Sequence, residues 1–201
     1  FYSIIASAAL MTLFKKQRDA VGLSLYSEKI EFHSESKTTN KHHIVLQNKL
    51  LNVLNNSLEF KKTSSVDSIH QIASKLHKRS LVLFFTDMME GTEDLSQIFS
   101  ALQHLKFNKH ELILFHLSEN KTEFQFDFKN APYKFIDIET QEEIKLNPEE
   151  IKYEYKKKSD LFLKELKVRC LQHKIDLVEI DINKGVEQIL ISYLLKRQKM
   201  F

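Results

Sequence analysis

The sequence predicts an α/β sandwich with a mostly parallel central sheet. Three observations carry this. Two uninterrupted apolar runs, "LVLFFTD" (81–87) and "HELILFHL" (110–117), have the length and content of strands buried on both faces. The segments between and around them place apolar residues at helical spacing. A third apolar run, "IDLVEIDI" (175–182), is again followed by a helical stretch, and strands alternating with helices make a layered α/β domain.

Taken in chain order, "FYSIIASAALMTLF" and the charged "KKQRD" behind it read as a first helix over 1–17. It is apolar, but Lys15 and Lys16 end it after 14 residues, short of the roughly 20 that a membrane span needs. It also has no basic leader of the kind that opens a signal peptide. Its Ala and Ser content suits a helix packed closely on both sides, and a chain opening directly on such a helix implies a missing segment in front.

"AVGLSLYSEKIEFHSES" gives one strand, a turn at Ser27–Lys29, and a second strand at 30–34. "NKHHIVLQNKLLNVLNN" places Ile44, Leu46, Leu50, Leu51 and Leu54 on one helical face, with Asn40 as N-cap. After the polar "EFKKTSS", Ile69, Ile72, Ala73 and Leu76 have helical spacing, and the strand 81–87 follows. Gly91 and Thr92 open the helix "EDLSQIFSALQHLKF" that leads to the strand 110–117.

The pattern then changes. "EFQFDF" (123–128), "YKFIDIE" (133–139) and "EEIKL" (142–146) are short strand-like pieces, read as an antiparallel ribbon inserted near 123–146. Pro148 sits in the first turn of a long helix, with Glu149 and Glu150 at its positive end. Lys156–Lys158 form a solvated face on that helix. The strand 175–182 and the helix "KGVEQILISYLLKRQ" complete the chain. No repeat, low-complexity tract or linker interrupts the order, so residues 1–201 read as one domain.

Composition narrows the function classes. The chain has 201 residues, 42% hydrophobic and 28% charged, with a net charge of +3. That charge is mild and its basic residues are dispersed, which argues against nucleic acid. The lone Cys170 excludes an intrachain disulfide and a multi-cysteine metal site, and points to a reducing cytoplasm. At helical spacing it reads as a core thiol. Gly22, Gly91 and Gly185 cannot build a phosphate-binding loop, and no nucleophile elbow occurs. The nine histidines lack metal-binding spacing: His42 and His43 are adjacent, and His70 lies two turns from His77, so they read as surface or helix-face residues.

Asp87 is the residue that calls for an explanation. Ligands of open α/β sheets bind outside the carboxyl ends of the strands, where Asp87 lies. A carboxylate there needs water or a partner. It serves either as a cap or ion pair, to Arg79 or a lysine, or as an oxygen ligand of a hard cation such as Mg²⁺. Met88 and Met89 behind it either form an adaptable contact surface or pack beneath the next helix.

The stretches "KKQRDAVGLSLYSEKI", "VDSIHQIASKLHKRSLVLFFTDMME", "HELILFHL" and "FKNAPYKFIDIETQEEIKLNP" together resemble the bacterial domain-of-unknown-function fifty-eight family. This is a von Willebrand factor A-like group often encoded beside MoxR-type AAA+ ATPases, and the resemblance spans the whole chain. It implies a Rossmann-like sandwich, a single von Willebrand factor A-like domain truncated at its amino terminus, with its first strand missing. It further implies a cytoplasmic protein-binding module acting with an AAA+ ATPase in the assembly or maturation of protein complexes.

Competent domains of this type hold a divalent cation through three loops. Asp87 matches the third. Where the family often has Thr-Asp in the second, this sequence has Val66–Asp67, with Thr63, Ser64 and Ser65 as nearby hydroxyls. The first loop would precede Phe1. The resemblance therefore implies no cofactor in this chain, Asp87 as the remnant of a metal site, and Mg²⁺ only in a longer form. The expected partner face comprises Ser64, Ser65, Asp87, Met88 and Met89. Two alternatives stand beside it: a hydrolase using Asp87 with His116 or His70, and a structural subunit of an oligomer.

Overall fold

Where apolar residues run without interruption the chain forms the central strands, and where they recur at three and four it coils. The structure, a computed structural model, describes residues 1–27, 29–55, 65–77, 79–88, 95–136 and 143–198, the side chains of Ser65 and Gln198 aside. These fall into two compact units: Phe1–Leu81, Met89–Glu111 and Lys184–Phe201 in the first, Val82–Met88 and Leu112–Asn183 in the second.

The first unit is mainly helical. Helix α1 (Tyr2–Gln17) ends on Arg18 in the left-handed region, φ 60°, whose N–H bonds back to the Lys15 carbonyl. Strands β1 (Ser24–Tyr26) and β2 (Ile30–His33) form an antiparallel hairpin, Ser24 opposite His33, with an irregularity between Leu25 and Tyr26. Helices α2 (Asn40–Asn55), α3 (Ser65–Lys75), α4 (Leu95–Phe107) and α6 (Glu187–Gln198) complete it. Helix α1 packs on α2 and α6, and α3 packs on α4 and the hairpin. Met11, Val21, Leu46 and Leu50 are buried together, with Ile4, Phe14, Leu23 and Phe32 packed against them.

Helix α2 corrects two expectations. Its buried stripe is His43, Leu46 and Leu50, while Ile44 and Leu51 are 53% and 51% exposed. Residues seven apart share a face, so one shift of the stripe moves both isoleucine and leucine outward together. The cap is Thr39 rather than Asn40: its hydroxyl accepts from the His42 N–H at 3.3 Å, and Asn40 is already helical.

The second unit holds the central sheet, in the order β3 (Leu81–Thr86), β4 (Glu111–Ser118), β7 (Asp176–Asp181). Strands β4 and β7 run parallel from Ile113 opposite Asp176 to Ser118 opposite Asp181. Helix α5 (Pro148–Gln172) begins as expected: Pro148 sits in its first turn, and the Asn147 side chain accepts from the Glu149 N–H at 3.3 Å. Lys156, Lys157 and Lys158 are exposed on it, and Cys170 is buried near its end.

Strands β5 (Tyr133–Ile136) and β6 (Glu143–Leu146) pair antiparallel as the inserted ribbon, Tyr133 opposite Leu146. The strand-like "EFQFDF" is not a strand. Asn120–Phe124 forms a π-helical turn, and Phe126 takes φ 49°, which breaks an extended chain. Its alternating phenylalanines serve a ring cluster instead: Phe126 lies 4.3 Å from Tyr155 and 4.9 Å from Phe128, and Phe128 lies 5.4 Å from Phe135. The expected helix start at Gly91 and Thr92 lies outside the described residues.

Candidate functional site

Parallel strands place their carboxyl ends on one edge of the sheet, and in the second unit three chain segments leave from that edge. After β3 come Thr86, Asp87 and Met88. The Thr86 hydroxyl accepts from the Met88 N–H at 3.1 Å, and Met88 takes φ 53°. This short-range bond is the kind that turns a chain locally, offering the backbone a partner outside the ladder. Asp87 is left exposed while Met88 is 3% exposed. Of the two possibilities for the methionines, Met88 therefore takes burial, and its thioether cannot form part of an exposed contact rim.

His116, on β4, fixes this turn from below. Its Nε2–H donates to the Asp87 carbonyl at 3.0 Å, and its ring lies 6.2 Å from both Phe124 and Phe162. The side chain is 2% exposed and its Nδ1 has no hydrogen-bond partner among the described residues. Burial pushes the imidazole below its ordinary pKa, against the opposing pull of the Asp87 carbonyl and of the Glu179 and Asp87 charges. His116 is thus a neutral donor that positions Asp87. It meets the backbone of Asp87 and not the carboxylate, so it is not paired with it as an acid–base couple.

After β4 comes Glu119. Thr122 donates its hydroxyl to one carboxylate oxygen at 2.7 Å, and the Asn183 amide donates to the other at 3.1 Å. These two bonds hold the Glu119 carboxyl below its ordinary range. After β7, the Asp181 carboxylate accepts from the Asn183 N–H at 3.1 Å, which fixes the residue that reaches Glu119. Glu123 completes the edge, its pKa raised by burial first and then by the neighbouring Asp87 and Glu119 charges.

Asp87, Glu119 and Glu123 therefore form an acidic rim. Among the described residues the Asp87 carboxylate makes no hydrogen bond or ion pair, so neither the expected cap nor the expected bridge to Arg79 or a lysine is found there. Mg²⁺ asks for a near-octahedral oxygen shell. No group of three or more His, Cys, Asp and Glu side chains among the described residues has the geometry to hold a metal ion. The described residues do not fit that ion, although they suit a cationic side chain.

Of the other expected contact residues, Ser65 is the first residue of α3, in the first unit, and Ser64 and Met89 lie outside the described residues. His70 bonds to His104. The histidines as a class differ from expectation, since His43, His110 and His116 are buried, at 1%, 1% and 2% exposure. Glu119, Thr122 and Asn183 were not foreseen as rim residues. The rule that singled out Asp87, an acidic residue just past a central strand, applies equally to Glu119.

No protein-family model and no curated protein matches the chain. Among solved structures, it is similar to the conserved hypothetical protein BatB from Bacteroides thetaiotaomicron. The TM-score is 0.54 at 12% identity, over 99% of this chain and 87% of that one. The chain shares that fold, a Rossmann-like, von Willebrand factor A-like α/β arrangement. Among the described residues no helix is long and apolar enough to cross a membrane.

Proposed function

We propose that this chain is a protein-binding module that takes its partner at the carboxyl ends of the central strands, through Asp87, Glu119 and Glu123. One observation supports this above the others: Asp87 is exposed at the end of a central strand while its own backbone is held by buried His116. A carboxylate on a fixed backbone suits recognition of a partner's Lys or Arg, because little further ordering is needed on binding.

The resemblance to the domain-of-unknown-function fifty-eight family names the partner class, a MoxR-type AAA+ ATPase in the cytoplasm, acting in the assembly or maturation of protein complexes. In a longer form of the chain, Asp87 would contribute one carboxylate to Mg²⁺. The test is calorimetry of this chain against a MoxR-type AAA+ ATPase. Asp87→Ala together with Glu119→Ala is expected to weaken binding at least ~10-fold, the loss of one or two charged contacts. Equal affinity of variant and parent would remove the rim from the interface.

A further inference from the structure

We infer that His70 and His104 form a two-histidine site for a divalent first-row transition metal, across the contact between α3 and α4. This inference stands apart from the acidic rim and does not depend on it. The Nδ1 atoms of the two rings face each other at 3.2 Å, with ring centroids 5.4 Å apart. An imidazole nitrogen binds zinc at about 2.0–2.1 Å, so a cation equidistant from both would subtend an angle of about 103° at this separation. That is close to a tetrahedral angle, and the cation would sit about 1.3 Å off the line joining the nitrogens, within reach of a modest rotation of both rings.

The two helices are held at this distance by packing that does not involve the histidines. Ala73, one turn beyond His70, and Ala101, one turn before His104, are both 0% exposed, and small buried side chains permit close approach. Asn108 donates to the Ala73 carbonyl at 3.4 Å and ties the same pair of helices further along. The site is thus carried on two regular helices, which hold ligands more precisely than loops. Both residues are half-buried.

Imidazole selects zinc, copper, nickel and cobalt over magnesium and calcium, which prefer oxygen. As the two residues stand, a single proton can be shared between the facing nitrogens. A metal takes the lone pairs of both facing nitrogens, so the shared proton moves to the far nitrogen of its own ring. The charged groups on the packed elements are Asp67 and Lys75 on α3, Lys106 on α4, and Glu31 on β2.

The experiment is titration of the whole chain with Cu²⁺, followed by its visible absorption and electron paramagnetic resonance, and with Zn²⁺ by calorimetry. The parent is expected to bind one equivalent, with nitrogen ligation in the copper spectrum. His70→Gln and His104→Gln should each lower affinity at least ~10-fold, while His77→Gln, on an exposed residue after α3, leaves it unchanged. Circular dichroism of the glutamine variants separates loss of ligand from loss of fold. Absence of binding by the parent at millimolar metal would overturn the proposal. So would an affinity and spectrum unchanged in both folded glutamine variants.

Discussion

In strand β4 five consecutive side chains, Leu112 to His116, are buried, whereas in β5 exposure alternates, β6 is exposed over its first three residues, and neither has a buried residue. Both belong to the same compact unit. The central strand is held by removal of apolar surface on both faces, at about 25 cal/mol per Å². The ribbon has one face to use, and it fills that face with rings: Phe128 lies 5.5 Å from Tyr133, and Tyr133 lies 6.0 Å from Phe135. Its other face carries Lys134, Glu143 and Lys145 and leaves Ile136 48% exposed, and even Ile144, opposite Phe135 on the ring face, is 59% exposed. The Lys134–Glu143 ion pair, at 2.5 Å, adds little there, since both partners are nearly half exposed and solvent screens them. Depth makes a strand part of the global fold. A one-sided ring cluster makes a segment that opens on its own.

The largest effect that would break this contrast comes from Phe115, which is fully buried and stacks on Phe85 at 4.9 Å. Phe115→Ala should cost about 3–5 kcal/mol and lower the urea midpoint of the whole chain. A loss confined to a few neighbouring residues would show that β4 is not central to cooperative unfolding. Next comes Phe126→Ala in the ring cluster, expected to cost about 2–3 kcal/mol locally. Hydrogen exchange should accelerate over residues 126–136 and 143–155 while the global midpoint barely moves. If the midpoint falls as far as in Phe115→Ala, the two regions unfold as one.

The smallest effect concerns the cost of depth. His33, His43, His110 and His116 all lie below the ordinary value of 6.5, burial being the first cause in each. The unfolded chain therefore binds protons more readily than the folded one. Stability is full above pH 6.5 and is lost as the pH falls below it through the depressed folded values. His116→Leu should cost about 1–2 kcal/mol at pH 7.5 by leaving the Asp87 carbonyl unpaired. It should also shallow the decline of the urea midpoint between pH 7.5 and 5.5. The ribbon contains no histidine, so its local exchange free energy should not follow that decline. An identical pH profile in parent and variant would mean that His116 is not among the groups that titrate on unfolding.

Most of the fold was legible because burial on both faces leaves a signature that needs no partner to read. The runs at 81–87, 110–117 and 175–182 are observed as β3, β4 and β7 to within a residue at each end. Pro148 marked α5 for an equally local reason. What failed depended on long-range packing. "EFQFDF" alternates like a strand because its phenylalanines converge on Tyr155, which lies on a helix and not on a partner strand. On α2, Ile44 and Leu51 looked like core, yet His43 holds that place. The rim at Asp87 was half visible. One aspartate past a strand can be found by eye, but the Asn183 bond to Glu119 spans 64 residues. The His70–His104 pair was invisible for the same reason, since it lies on two helices 34 residues apart.

Cys170 carries a consequence of a different kind. It is the only cysteine, 2% exposed, and burial pushes its thiol up to about 11. Thiolate is the reactive form, so at neutral pH the Cys170 thiol of the folded chain is silent toward thiol-directed alkylating and oxidising agents. A label found on Cys170 therefore marks an opening of the segment where α5 passes into β7. Each marked molecule is one that has unfolded there at least once, and the chain keeps its own permanent record of the event.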